Sequence, residues 1–432
     1  MRCILVILDG LGDRAHDALG GRTPLQAAYT PNLDWLATAG MNGLYHACMQ
    51  GVALSSEVAH ALMFGYDRGE LPGRGYLEAV GYGLEPGADD VFLLCHLCSV
   101  EERDGRLILV RERPGVDVSE MEALTEALST CEGGDTGTRF VSTRKGDGLL
   151  VLSGAVSPAI TDSDPIYEGR PLISVEPTDA SPEARSTAEE LNRYLRRAYR
   201  TLSGLPLNTG RREKGLPPLN ALATQRAGKK KQLTPFYEKW GLRALSTASL
   251  PVYHGLCREL GMEIRVANDS DDPGGDLRER LFLAREAADF DFIHVHTKVA
   301  DEAGHTKDPY TKKAVIEAID RAMEFAVTEI MPDPGVLFVI TADHSTASTG
   351  TMIHTGETVP LAMVGKYPRR DGVTAFNEVD CAGGALGPVR GSELMYLVLN
   401  FLDRGKLGGL MDTPHDQPYY PGHYRPLTAD GD

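Results

Sequence analysis

Three continuous apolar runs constrain this chain more than any other feature. Arg2-Cys-Ile-Leu-Val-Ile-Leu8, Phe290-Asp-Phe-Ile-His-Val-His296 and Gly335-Val-Leu-Phe-Val-Ile-Thr-Ala342 lack the polar alternation of a half-exposed strand. Runs of this kind suit strands buried on both faces of a parallel sheet, with helices covering each side. Helical patterns separate them at 30–40, 312–327 and 393–402, the first opening on Pro31 and closing on Gly40. Strands alternating with helices predict a doubly wound α/β sheet.

The middle of the chain does not follow this pattern. From about 87 to 250 there are Gly/Pro-rich turns, short apolar stretches such as Leu149-Leu-Val-Leu-Ser153, and a charged helix at 182–201. We expect an inserted α+β domain over 87–250, interrupting a core domain made of 1–86 and 251–410. The Pro-, Tyr- and Asp-rich residues 411–432 read as a surface tail. A length of 432 residues accommodates two or three domains of ordinary size.

Charge narrows the function. With 44 Lys and Arg against 61 Asp and Glu, the net charge of −17 opposes non-specific binding to nucleic acid or to an anionic membrane. No apolar stretch approaches the roughly 20 residues of a bilayer span. The apolar opening ends at Asp9 without a cleavage site, unlike a secretory signal. The 7 scattered cysteines fit reduced thiols in the cytoplasm. An anionic substrate is still permitted, provided metal ions or clustered basic side chains neutralise it locally.

Four separated stretches carry candidate chemistry at or beyond predicted strand ends. They are Asp9 in Asp9-Gly-Leu-Gly-Asp13, Ser55-Ser-Glu-Val-Ala-His60, Asp301-Glu-Ala-Gly-His305, and Asp343-His-Ser-Thr346 with His354 shortly after. Singly, each has a plainer reading. An Asp after a strand often makes a turn or caps a helix. Asp301 and His305 could share a solvated helix face, and His344 and His354 could be hydrogen-bonded core residues. Because ligands gather at the carboxyl ends of strands in open α/β sheets, the four stretches together can form one site. Mixed carboxylate and imidazole ligation suits two divalent ions such as Mn²⁺ or Zn²⁺, with Mg²⁺ less suited to the imidazoles.

These motifs, with Thr23-Pro-Leu-Gln-Ala-Ala28, Thr30-Pro-Asn-Leu-Asp34, Gly65-Tyr-Asp67, Gly73-Arg-Gly75 and Lys214-Gly-Leu-Pro-Pro218, run through nearly the whole chain short of the tail. In them the chain resembles the archaeal type of cofactor-independent phosphoglycerate mutase, within the alkaline phosphatase superfamily. The resemblance implies an alkaline-phosphatase-like sheet interrupted by the inserted domain, and two metal ions with no bisphosphoglycerate. One ion would be held by Asp9, Ser56, Asp343 and His344, the other by Asp301, His305 and His354. Ser56 would be the nucleophile, with Ser55 as its local competitor, and would carry the phosphoryl group between two hydroxyls of a small phosphorylated acid. A Ser hydroxyl is a weak nucleophile at neutral pH, and a metal or a helix N-terminus activates it. Arg74, Asn208, Arg211, Lys214 and Lys298 are candidates to grip the substrate's carboxylate and phosphate, each with a solvated surface role as the plainer reading.

Departures from the family's pattern cluster in the parts that would read the substrate. Leu94 and His96 stand where an Arg and an Asn are usual, Val116 where another Arg is expected, and His254 where a Lys is usual. Gln225-Arg226-Ala-Gly228 varies an Arg-Gly-Ala-Gly stretch. They raise the alternative of a paralogue transferring a phosphoryl or phosphonyl group to another small hydroxy acid; a metal-dependent phosphatase fits the long insert less well. Cys95-His-Leu-Cys98 is a lone pair of thiols, and His294 and His296 share one strand face near Asp301.

Overall fold

The computed structural model describes residues 1–131 and 137–429. It divides into two compact units, Met1–Leu71 with Leu233–Asp432, and Pro72–Gln232.

The first unit is built on an eight-stranded sheet. Arg2–Leu8 lies at its centre, parallel to Val336–Thr341 on one side and Phe292–Thr297 on the other. Ala244–Thr247 and Glu263–Ile264 extend the parallel part. On the opposite flank Val359–Val364 runs antiparallel to both Val336–Thr341 and Met41–His46, and Gly387–Arg390 closes the edge. The sheet is therefore mixed on one flank and parallel through its middle. Ile4, Leu5, Val6, Ile7, Phe338 and Val339 are wholly buried, which explains the unbroken apolar runs. Because the three central strands share a direction, the residues that follow them emerge at one edge: Asp9, Lys298 through Asp301, and Asp343.

Helices cover the sheet. Pro31–Ala39 begins on its proline as expected, and Pro309–Phe325 is capped by Asp308, whose carboxylate accepts the amides of Tyr310 and Thr311. Trp240 is buried against Phe64, its indole N–H donating to Phe64 O at 2.8 Å.

The second unit contains a five-stranded antiparallel sheet centred on Val91–Arg103, which pairs with Arg106–Arg111, Asp147–Ser153 and Ala221–Lys229. Gly137–Ser142 pairs with Asp147–Ser153. The helix Pro182–Ser203, capped by the Ser181 hydroxyl, packs Leu191, Tyr194, Ala198 and Leu202 against Val91, Leu93, Cys95 and Leu97 of the long strand. Cys98 belongs to a separate cluster with Val100 and Ala223. Cys95 and Cys98 therefore pack into different clusters, and burial pushes both thiols far up.

The boundaries of the insert differ from the expected 87 and 250 at both ends. Lys229 N donates to Pro72 O at 2.8 Å, and a Cβ on Gly75 would lie 2.2 Å from Phe92 O, so the helix Arg74–Gly81 is seated on the insert's own sheet. At the other end Ala244–Thr247 joins the eight-stranded sheet beside Phe292–Thr297, which returns residues from 233 onward to the first unit. The surface tail is tied to the first unit at several points. Tyr420 N donates to Arg404 O, Lys406 pairs with Asp412 at 2.8 Å, and Tyr419 covers Gly241 so closely that a Cβ there would sit 2.3 Å from its ring.

Candidate metal centre and nucleophile

Asp9 follows the central strand and is wholly buried. The next residue, Gly10, has φ of +64°, and a Cβ on it would lie 2.7 Å from both Asp301 Cβ and Thr346 Oγ1. Only glycine lets the Asp9 loop turn at that point while the Asp301 helix and the Asp343 loop approach. Gly10 N also donates to Asp343 Oδ1 at 3.1 Å, tying two of the acidic residues together through the backbone.

Two donor sets result. Asp9, Asp343 and His344 present ligand atoms within 4.8 Å of one another, and Asp301, His305 and His354 do the same. His344 Nε2 lies 3.3 Å from both Asp9 Oδ1 and Asp343 Oδ2. In the second set Asp301 Oδ2 is 3.2 Å from His305 Nε2, and Asp301 Oδ1 is 3.5 Å from His354 Nε2. The sets adjoin, since the rings of His344 and His354 stack with centroids 3.9 Å apart. His354 Nδ1 lies 2.6 Å from Leu54 O, which turns Nε2 toward Asp301. Burial, helped by His344, pushes the His354 imidazole down to about 4, leaving a neutral ring with a lone pair to offer.

Ser56 begins the helix Ser56–Met63, with Oγ 3.0 Å from His344 Nε2 and 3.2 Å from the Lys298 ammonium. Ser55 precedes the helix and its hydroxyl donates to Glu57. Lys298 reaches across both sets, at 3.1 Å from Asp9 Oδ2 and 2.7 Å from Asp301 Oδ2. Burial works against its charge, but the carboxylates of Asp9, Asp301 and Asp343 outweigh that and hold the ammonium above its ordinary value. Burial likewise opposes ionisation of Asp9, yet Lys298 and the hydrogen bond from His296 keep it well below the usual carboxylate range.

Three buried carboxylates thus face one ammonium. Asp343 Oδ2 has no hydrogen-bond partner among the described residues. An acidic pocket lined by imidazoles, with a carboxylate oxygen left over, fits divalent cations on the chemistry of its donors.

A surrounding layer of side chains orients the donors, and most of it was not legible in advance. Tyr253 donates its hydroxyl to Asp9 Oδ2 at 2.5 Å, and His296 Nε2 lies 3.0 Å from the same oxygen. Burial, with Asp9 adding to it, raises the Tyr253 phenol well above its ordinary value, so it remains a donor. Thr346 Oγ1 donates to Asp301 Oδ1 at 2.5 Å. His60, four residues beyond Ser56 on the same helix face, places Nδ1 2.9 Å from Ser56 O and 3.3 Å from Asp343 Oδ2. The i, i+4 spacing could have marked His60; nothing in the sequence distinguishes Tyr253.

The candidate substrate residues fare differently. Lys298 lies inside the centre. Asn208 is wholly buried and exchanges hydrogen bonds with Leu219 while donating to Leu202 O. Arg211 is buried as well, donating to Pro217 O, Gly115 O and the Glu120 carboxylate. These two pin the 215–218 turn and the start of the neighbouring helix, because a guanidinium and an amide satisfy several backbone carbonyls at once. In this structure both side chains are engaged within their own unit. Arg74 pairs with Glu78 at 2.8 Å, and Lys214 is exposed. Of the departures, His254 is buried with Nε2 2.7 Å from Ala248 O, a helix-positioning contact. Leu94 and Val116 are half-buried in the insert. Burial and Arg113 push the buried His96 imidazole down to about 4.

Comparison with known proteins agrees with this geometry. A model described as the metalloenzyme superfamily matches residues 1–401. The chain is 40% identical to 2,3-bisphosphoglycerate-independent phosphoglycerate mutase 2 of Methanocaldococcus jannaschii, covering 98% of each chain. It is 37% identical to the 2,3-bisphosphoglycerate-independent phosphoglycerate mutase of Methanopyrus kandleri, covering 93% of this chain and 97% of that one. Among solved structures, a cofactor-independent phosphoglycerate mutase from Thermoplasma acidophilum aligns with a TM-score of 0.60 at 33% identity, over 93% of this chain and 99% of the other. A protein from Pyrococcus horikoshii aligns at 0.75 with 27% identity, over 95% and 99%. With relatives this similar along its whole length and two donor sets meeting beside a helix-terminal serine, the chain belongs to the 2,3-bisphosphoglycerate-independent phosphoglycerate mutase family of the metalloenzyme superfamily.

Proposed function

We propose that this chain interconverts 3-phosphoglycerate and 2-phosphoglycerate without added bisphosphoglycerate, through a phosphoserine at Ser56, in the cytoplasm. The observation that carries the reading is the position of Ser56 Oγ, 3.0 Å from His344 and 3.2 Å from Lys298, at the first residue of a helix. Two divalent ions, Mn²⁺ or Zn²⁺, held by Asp9, Ser56, Asp343 and His344 and by Asp301, His305 and His354, would supply Lewis acidity to the serine and to the phosphoryl oxygens.

The chain's own groups do the rest. The Lys298 ammonium stabilises negative charge on Ser56 Oγ as the hydroxyl gives up its proton, which ends on the departing substrate oxygen. Oγ attacks phosphorus in line, forming the Oγ–P bond as the ester bond to the substrate oxygen breaks. Free amides at the start of Ser56–Met63 face the phosphoryl group. The second hydroxyl of the released glycerate then attacks phosphorus, the Oγ–P bond breaks, and the serine recovers its proton. No water is consumed and no second phosphate is needed. Tyr253 and His296 keep the Asp9 carboxylate oriented throughout.

A coupled assay with 3-phosphoglycerate as the sole phosphate compound, with mass spectrometry of trapped Ser56, tests this reading. Turnover abolished by Ser56→Ala and by chelation is the expected result. Absence of turnover in metal-loaded wild-type chain overturns it. A second reading, transfer to a different small hydroxy acid, is favoured by the inward commitment of Asn208 and Arg211, which turns two of the candidate substrate-gripping side chains toward their own unit. A phosphoserine formed from another phosphate or phosphonate ester, with none from phosphoglycerate, would select it.

A further inference from the structure

The insert unit holds a third group of metal-competent side chains, separate from the two donor sets of the first unit. His96 comes from the strand Val91–Arg103, Glu112 follows the strand Arg106–Arg111, and Asp164 lies in the loop beyond Asp147–Ser153. Their ligand atoms all lie within 4.8 Å of one another.

Two features separate this group from an ordinary acidic cluster. First, His96 is only 2% exposed, and its Nε2 has no hydrogen-bond partner among the described residues. That nitrogen is 3.8 Å from Asp164 Oδ2, beyond hydrogen-bond reach, so a buried lone pair or N–H is aimed at a carboxylate without meeting it. Second, the carboxylates are held in place from behind. Asp164 Oδ1 accepts the Ile166 amide at 2.7 Å and Oδ2 accepts the Gln225 side chain. Glu112 pairs with Arg113, whose Nε binds Asp147 Oδ1 at 3.1 Å. Glu112, Asp147 and Asp164 thus crowd round one guanidinium.

An ion bound at about 2.0–2.2 Å from each donor needs the donors roughly 3–3.5 Å apart. The His96–Asp164 pair reaches that separation by closing a few tenths of an ångström. One imidazole with two carboxylates suits a first-row divalent ion.

We propose that His96, Glu112 and Asp164 form a divalent-cation site within the insert, additional to the two donor sets of the first unit. The bound ion joins two strands and a loop of the insert and relieves the repulsion among their carboxylates. The site stands independently of the reaction assigned to Ser56, because its signature is metal content and not turnover.

The test uses the full chain dialysed against buffered Zn²⁺, with ions per chain counted by mass spectrometry for wild type, His96→Gln and Glu112→Gln. Each variant is expected to hold one Zn²⁺ fewer than wild type. Equal counts in wild type and Glu112→Gln overturn the proposal. Glu112 is half-buried and its loss removes no core packing, so that variant decides the matter even where His96→Gln fails to fold.

Discussion

Lys312 is wholly buried, and its ammonium donates to Gly10 O at 2.9 Å, Gly12 O at 2.8 Å and Thr346 O at 2.7 Å, with Asp13 Oδ2 at 3.2 Å. One cation therefore ties the loop after Asp9 to the loop after Asp343, the two segments that supply the first donor set. Lys312→Met keeps the aliphatic stem and removes the charge. Breaking a buried ion pair from one side costs about 3–5 kcal/mol. The carbonyls left behind add to this, although Gly12 O keeps the Thr346 amide at 3.0 Å, so ~4 kcal/mol is the expected total. At roughly 2–4 °C per kcal/mol for a large domain, Tm should fall on the order of 10 °C. Both tryptophans, Trp35 and Trp240, lie in the first unit, so intrinsic fluorescence follows the unfolding of that unit alone. Lys313→Met is the control: Lys313 forms a surface pair with Glu317 at 2.6 Å and should cost under about 1 kcal/mol. A Tm for Lys312→Met within about 2 °C of the control would refute the reasoning.

Three further outcomes follow from the same geometry. Tyr253→Phe removes the hydroxyl that orients Asp9 and should weaken divalent-ion affinity about 10-fold in a chelator competition, with little change in Tm. Arg211→Met should destabilise the insert by about 3 kcal/mol in urea unfolding followed by circular dichroism, while leaving KM of the folded enzyme unchanged; a large rise in KM with normal stability would restore a substrate role. Burial opposes the charge of Asp13, but Lys312 and hydrogen bonds from Ser348 and His16 hold its pKa below 3.8. Its stabilising contribution is therefore complete above pH 3.8 and is lost as pH falls through the folded value, so Asp13→Asn should flatten the acid limb of the Tm–pH curve.

Legibility followed the range of the interactions involved. The central strands were readable because burial on both faces leaves an unbroken apolar run, and the acidic residues beyond them were readable because parallel strands end at one edge. The strand Ala244–Thr247 escaped notice, since four residues with Ser and Thr among them carry no periodic signal. Its partnership with Phe292–Thr297 is what moved the second boundary of the insert. The helix Arg74–Gly81 was not read from the sequence, where only the short Gly73-Arg-Gly75 motif stood out, and an amphipathic face does not name the sheet that will cover it.

The candidate site divides along the same line. Asp9, Asp301, His305, Asp343, His344 and His354 stand in local motifs whose residue types marked them as candidates, while their division into two ligand sets and the choice of Ser56 over Ser55 came from the family resemblance. Asn208 and Arg211 have the chemistry of substrate grips, yet their side chains turn inward to satisfy carbonyls of their own unit. Tyr253 and Lys312 reach partners 244 and more than 300 residues away in the chain. Composition and periodicity are properties of neighbouring residues and so could determine the sheet, the acidic edge and the class of ligand. Which buried donor meets which buried acceptor depends on strand register and helix docking, and these exist only once distant segments have packed together.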